Sequence, residues 1–320
     1  MHALFTSFGF PPDLTELMAA EKGLAVDMAA FDALLEKTKQ ESRGASAFGT
    51  GGSLALEADQ LDKLSKLGVL PTDDSHKYAW DVAGARGEPL ACTVRAIYAG
   101  QKEGFLERAD AGREVGVVLD ATPFYAEQGG QVYDTGSLLA PDGSEPLIAV
   151  GDVQKFGGYV LHIGTVGARG LEVGARVSAR VDYARRAPIA RNHTMTHVLN
   201  LALRSTLGDG CDQRGSLVTA ERARFDFAFN RPLTDEETAK VEADVRAAIS
   251  AKLAVHALEV PLKQAQTVAS LRCVFGEAYP DPVRVLSVGA RHQMAAACGR
   301  VRPRAAACGR VRPRARVSVT

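Results

Sequence analysis

Tryptophan occurs once in 320 residues, and aromatic residues make up 6% of the chain. No apolar run approaches the ~20 residues that a membrane-crossing helix needs. The first ten residues carry no basic segment and run into Pro11 and Pro12, which argues against a secretory signal peptide. Cysteine is sparse and odd in number, five in all, so a disulfide scaffold is not expected. A reducing compartment is expected instead, the cytoplasm first, with an organelle left open. Acidic residues are absent from residues 291–320, which hold eight arginines. The formal charge of zero is therefore an average over unlike parts. The first 290 residues carry 30 basic and 38 acidic side chains, a net of −8, and the tail carries +8. With 46% hydrophobic residues, the chain can bury a core of useful size, and its length suggests two or three domains.

The pattern changes four times. Residues 1–45 read as short helices: Asp13 with Glu16 forms a capping-box pattern, Gly23 is a stop, and Asp27 caps a second helix bearing Phe31, Leu34, Leu35 and Thr38 on one face. Residues 46–74 read as a linker that opens with a Gly/Ser-rich stretch. Over 75–185 short strands alternate with Gly/Asp turns, as at 113–120, 146–153, 159–165 and 175–182, and this favours a small β-barrel. Residues 186–290 read as mixed α/β. They comprise a helix over 193–207 with Asn192 as N-cap, strands near 215–219 and 222–229, and a helix opened by the Thr234/Glu237 capping box. That helix places Val241, Val245, Ile249 and Leu253 on one side, and a final strand follows at 283–288. Residues 295–304 recur unchanged at 305–314. A perfect repeat with Pro in each copy and no apolar periodicity predicts a disordered tail over 291–320, a product of a GC-rich nucleotide repeat, with arginines able to contact phosphates.

Three segments can carry chemistry. His193 and His197 lie one turn apart on one helix face, with Asn200 and Arg204. Neutral imidazoles at this spacing can share a Zn²⁺, or they can be two hydrogen-bonded or solvent-facing histidines. The Glu that a zincin protease places after the first His is here Thr194, which disfavours peptide hydrolysis by that route. Phe124-Tyr-Ala-Glu-Gln-Gly-Gly-Gln131 contains paired glycines that allow close backbone approach to a ligand, or form a hairpin loop of the barrel. Cys211-Asp-Gln-Arg-Gly-Ser216 is a helix-to-strand turn, or a loop that offers the Gln213 amide to a ligand.

Taken in order, these segments resemble the alanyl-tRNA synthetase family. The likeness also includes Gly9-Phe-Pro-Pro-Asp-Leu-Thr-Glu-Leu-Met18, Glu21-Lys-Gly-Leu24, Leu203-Arg-Ser-Thr-Leu-Gly208, Arg224-Phe-Asp-Phe227, Phe275-Gly-Glu-Ala-Tyr279 and Val283-Arg-Val-Leu-Ser-Val-Gly289. The resemblance implies an α+β chain: short N-terminal helices, a small β-barrel, and a mixed α/β editing domain of the threonyl/alanyl-tRNA synthetase type. It implies hydrolysis of seryl- or glycyl-tRNA(Ala), with mischarged tRNA as partner and no membrane. It implies His193 and His197 as zinc ligands, Gln213 as an editing-pocket residue, and Gly129, Gly130 and Gln131 as the loop that closes the pocket. ATP and Mg²⁺ serve the family's aminoacylation domain, which this stretch is expected to lack, together with the C-terminal domain. The family's Cys-Gly-Gly-Thr-His segment is replaced by Ala290-Arg-His-Gln-Met294, leaving half of a zinc site. The alternative reading is a catalytically inactive tRNA-binding fragment. A free-standing editing hydrolase is a third, against which the N-terminal helices argue.

Overall fold

The computed structural model describes residues 12–24, 26–28, 30, 31, 34, 54–208, 210, 211, 213–267, 271, 272, 281–289 and 316–319. The first element among the described residues is helix α1 (Pro12–Glu21). Pro12 is tolerated as its first residue, where the missing N–H has no intrahelical partner to lose. The chain leaves the helix at Gly23, with φ +68°, and Asp27 Oδ1 accepts from Ala30 N at 2.9 Å as the expected cap.

The barrel is closed. Strand β1 (Leu90–Tyr98) pairs with β4 (Glu114–Leu119), then come β7 (Tyr159–Val166), β6 (Pro146–Phe156), β5 (Gly136–Leu139) and β9 (Arg176–Val181), which returns to β1. Every pairing is antiparallel. Short β2 (Phe105–Leu106) extends from β1, while β3 (Arg108–Ala109) pairs with β8 (Leu171–Glu172). Period-two alternation fills the interior: Val177, Ala179 and Val181 are buried on β9 and meet Val94, Ile97, Val117 and Ile148. Closure pairs each strand on both sides and leaves no edge to cover.

The expected linker over 46–74 does not hold for its second part. Residues 54–74 contain helix α2 (Ala58–Lys66), started by a Glu57/Gln60 capping box. Leu54, Leu56 and fully buried Leu64 pack on Ala96, Tyr98, Tyr159 and Leu161 of the barrel's outer face. This patch would otherwise expose large aromatic surface, so the segment is a lid on the barrel. The Gly-rich residues 44–53 lie outside the described residues.

The helix expected over 193–207 begins ten residues earlier. Helix α3 spans Tyr183–Leu207, with Asp182 as its N-cap accepting from Arg185 N. It runs through the expected domain boundary at 185/186 and carries Pro188 inside. Asn192 is not a cap: its side-chain amide donates to Thr219 O at 2.8 Å and Ala220 O at 3.3 Å. Beyond α3 come the hairpin β10 (Gln213–Val218) and β11 (Ala223–Phe227), helix α4 (Asp235–Ser250), β12 (Val255–Val260), α5 (Leu262–Gln266), β13 (Leu271–Arg272) and β14 (Val283–Val288). The Thr234/Glu237 capping box forms as expected, and Val241 buries against Ala202, Leu203, Phe225 and Phe227. The expected tail disorder over 291–320 fails at one place. Arg316–Val319 forms strand β15, antiparallel to β14 and parallel to β13. β14 otherwise has a free edge, and a β-branched Val-x-Val stretch satisfies it. The repeat at 295–314, and Phe275–Tyr279, lie outside the described residues.

Candidate functional site

The site is assembled where α3 crosses the loop between β4 and β5. Arg186 of α3 is 2% exposed and Asp134 of the loop 1%. The guanidinium donates Nε–H to Asp134 Oδ2 at 2.9 Å and a second N–H to the same oxygen, and it also reaches Lys77 O at 3.0 Å and Pro123 O at 2.6 Å. Asp134 Oδ2 further accepts from Tyr125 N at 2.6 Å. Trp80 and Tyr183 flank the guanidinium, their ring centroids 5.6 and 4.9 Å from its carbon. This buried clamp fixes the loop against the helix two turns before His193.

The same loop is sewn to β10. Val218 N donates to Gly130 O at 2.7 Å, and Val132 N donates to Val218 O at 3.1 Å. Gly129 and Gly130 have φ +60° and +77°, which favours glycine. A Cβ at 130 would lie 2.2 Å from Ser216 Oγ and 2.6 Å from Ser216 O, so the close approach also requires glycine.

His193 and His197 share a face as expected. Their rings stack with centroids 5.6 Å apart and planes 17° from parallel. His193 Nδ1 lies 2.8 Å from Gln131 Oε1. An amide oxygen only accepts, so this contact is a hydrogen bond in the tautomer that carries its proton on Nδ1 and leaves the Nε2 lone pair bare. His197 Nε2 is buried and has no hydrogen-bond partner. Burial, then the neighbouring His197, pushes His193 down to about 4, and burial lowers His197 as well. Two neutral imidazoles, one with an orphaned buried nitrogen, have the donor chemistry of zinc ligands. They are two donors, and among the described residues no group of three or more His, Cys, Asp or Glu forms that could hold a metal. Cys273, His292, Cys298 and Cys308 lie outside the described residues.

Both histidines and Gln131 line a cavity of about 570 Å³. Its walls also include Lys77, Tyr78, Trp80 and Tyr125 from the barrel side, Arg186 and Arg191 from α3, Ile249 from α4, and Val255, Arg284 and Leu286 from β12 and β14. Four cations line it and no carboxylate does. Arg284 lies over the Tyr78 ring at 3.5 Å from its centroid. Asp134 holds Arg186 and Asp74 holds Lys77, the latter at 2.8 Å, so neither adds an uncompensated charge.

Thus Gly129, Gly130, Gln131, His193 and His197 come together. Gln213 does not join the lining. It pairs with Phe227 at the first position of β10. Sequence reasoning missed Arg186, Asp134, Lys77, Tyr78, Trp80 and Arg284. Arg186 carried one weak signal, an Asp182 cap that extends α3 back over it.

The family profile described as tRNA synthetases class II (A) matches residues 1–185. The chain belongs to the alanyl-tRNA synthetase family. It is 45% identical over 288 residues to the cytoplasmic alanine–tRNA ligase of Dictyostelium discoideum, covering 89% of this chain and 29% of that protein. It is 42% identical to the alanine–tRNA ligase of Candida albicans over 288 residues and to the mitochondrial enzyme of Saccharomyces cerevisiae over 291, with the same 89% of this chain and 29% and 28% of those proteins. The chain therefore spans less than a third of the length of these alanyl-tRNA synthetase relatives, which include cytoplasmic and mitochondrial proteins. Among the described residues, no helix is long and apolar enough to cross a membrane.

Proposed function

We propose that this stretch carries the editing module of an alanine–tRNA ligase, and that its reaction is hydrolysis of the ester in seryl- or glycyl-tRNA(Ala). The observation that carries the reading is the meeting of the His193/His197 pair with the Gly129–Gln131 loop at the wall of a cavity whose lining holds Arg191 and Arg284 and no carboxylate. That lining suits an anionic RNA end. A cavity of about 570 Å³ is larger than a seryl or glycyl group alone and leaves room for the terminal nucleotide.

In this reading His193 Nε2 offers a lone pair to a water or to a polar hydrogen of the aminoacyl group. Arg191 and Arg284 draw in the phosphates. The Gly130–Ser216 contact holds the loop close enough to exclude bulk solvent. His193 and His197 are the residues that would hold a zinc ion; such an ion polarises an ester carbonyl when bound. ATP and Mg²⁺ belong to the aminoacylation chemistry of the longer enzymes. A second reading, tRNA binding without turnover, is favoured by the two-donor metal set among the described residues.

The test is release of serine from seryl-tRNA(Ala) by the purified 320-residue chain, with and without added Zn²⁺. Deacylation that drops at least a hundredfold in His193→Ala supports the hydrolase. Binding without turnover supports the second reading. Neither binding nor turnover overturns both.

A further inference from the structure

Gln131 is a buried polar residue of the loop between β4 and β5. It is 4% exposed, its N–H donates to Gln128 O at 3.1 Å, and its C=O accepts from Gln128 N at 3.2 Å. The rungs on either side of it, at Gly130 and Val132, are both bonded to Val218. Its backbone therefore has no freedom to swing, and its amide oxygen is delivered to His193 Nδ1 at 2.8 Å. We infer that Gln131 is a positioning residue that holds His193 in its Nδ1–H tautomer, with the Nε2 lone pair turned to the cavity.

In water a neutral histidine prefers the opposite, Nε2–H form. The nitrogen left bare is set by the bond its partner nitrogen makes. An acceptor at Nδ1 therefore converts a ring that would donate into the cavity to one that accepts there. Gly129 complements this. A Cβ at that position would sit 3.7 Å from Cε1 and 4.0 Å from Nε2. Glycine keeps the space beside the bare nitrogen open for a ligand atom. The loop thus does two things with adjacent residues: position 131 sets the proton and position 129 clears the approach. The use of that lone pair in hydrolysis rests on the proposed function; the tautomer itself does not.

The test is long-range ¹⁵N–¹H correlation spectroscopy of the full chain labelled at histidine, at pH 7.5, with His193 assigned by comparison with His193→Gln. The expected spectrum has Nδ1 protonated and Nε2 bare. Gln131→Glu keeps the acceptor and retains this pattern, whereas Gln131→Met keeps the volume, removes the acceptor and shifts the ring to Nε2–H. A wild-type His193 that is already Nε2-protonated overturns the inference, and so does a Gln131→Met spectrum that is unchanged. The wild-type spectrum decides the matter even where Gln131→Met fails to fold. A bare Nε2 in a chain that deacylates no tRNA leaves the inference standing and removes the proposed function.

Discussion

Asp134→Asn isolates the charge in the clamp that joins the loop to α3. The substitution keeps the volume and leaves an oxygen for Tyr125 N, which now donates at 2.6 Å. What it removes is the counter-charge of a guanidinium that is 2% exposed. Uncompensated, a buried ion of this kind costs about 3–5 kcal/mol. Some of that is offset here, because Arg186 keeps Lys77 O, Pro123 O and the faces of Trp80 and Tyr183. A loss of about 3 kcal/mol is therefore expected, a large share of the ~5–15 kcal/mol typical of a domain. Arg186→Leu orphans two buried carbonyls, at ~1–3 kcal/mol each, and also strands the Asp134 carboxylate. The double variant Asp134→Asn/Arg186→Leu strands no charge, so it should be less destabilised than the two single effects added, by at least ~2 kcal/mol. Urea unfolding followed by circular dichroism measures all of these. Because the pair is shielded from solvent ions, 1 M NaCl should leave the Asp134→Asn difference unchanged, unlike an exposed pair such as Arg246–Glu242. An Asp134→Asn chain within 1 kcal/mol of wild type would refute the reasoning, as would strict additivity in the cycle.

Three further outcomes are expected. His162 is fully buried in the barrel, donates Nδ1–H to Val117 O at 3.0 Å and accepts from Thr122 Oγ1 at 2.7 Å, and burial pushes it down to about 4. The unfolded chain takes up this proton first as pH falls below 6.5, so the contribution is complete above that value and lost between 6.5 and about 4. At 1.36 kcal/mol per pH unit it amounts to about 3 kcal/mol, and urea midpoints of His162→Gln should depend correspondingly less on pH than those of wild type. Gly130→Ala places a methyl against the Ser216 carbonyl at positive φ, so it should cost about 1–3 kcal/mol in thermal melts and detach the loop from β10, seen as faster amide exchange at Val218. Leu64→Ala empties a fully buried site between α2 and the barrel and should cost about 2–5 kcal/mol in urea; a change near zero would return residues 54–74 to the status of a linker.

The sequence by itself was enough for whatever depends on neighbours along the chain. The capping box at Thr234/Glu237, the alternation on Arg176–Val181, the Val283–Val288 strand and the common face of His193 and His197 all follow from periods of two and 3.6 residues, and each is present. The ordered set of short segments also sufficed for the family. The start of α3 was missed because Pro188 falls within its first ten residues and reads as a helix breaker, and α2 was missed because its apolar positions make sense only against the barrel wall. Only the tertiary structure could decide what lies across from each side chain. Gln131 meets His193 from 62 residues away, Asp134 meets Arg186 from 52, and Arg284 reaches Tyr78 across most of the chain. Local spacing determines which face of an element a residue occupies. Closure of the barrel and the docking of α3 on its loop determine which faces meet, and those meetings set the charge, the tautomer and the space at the site.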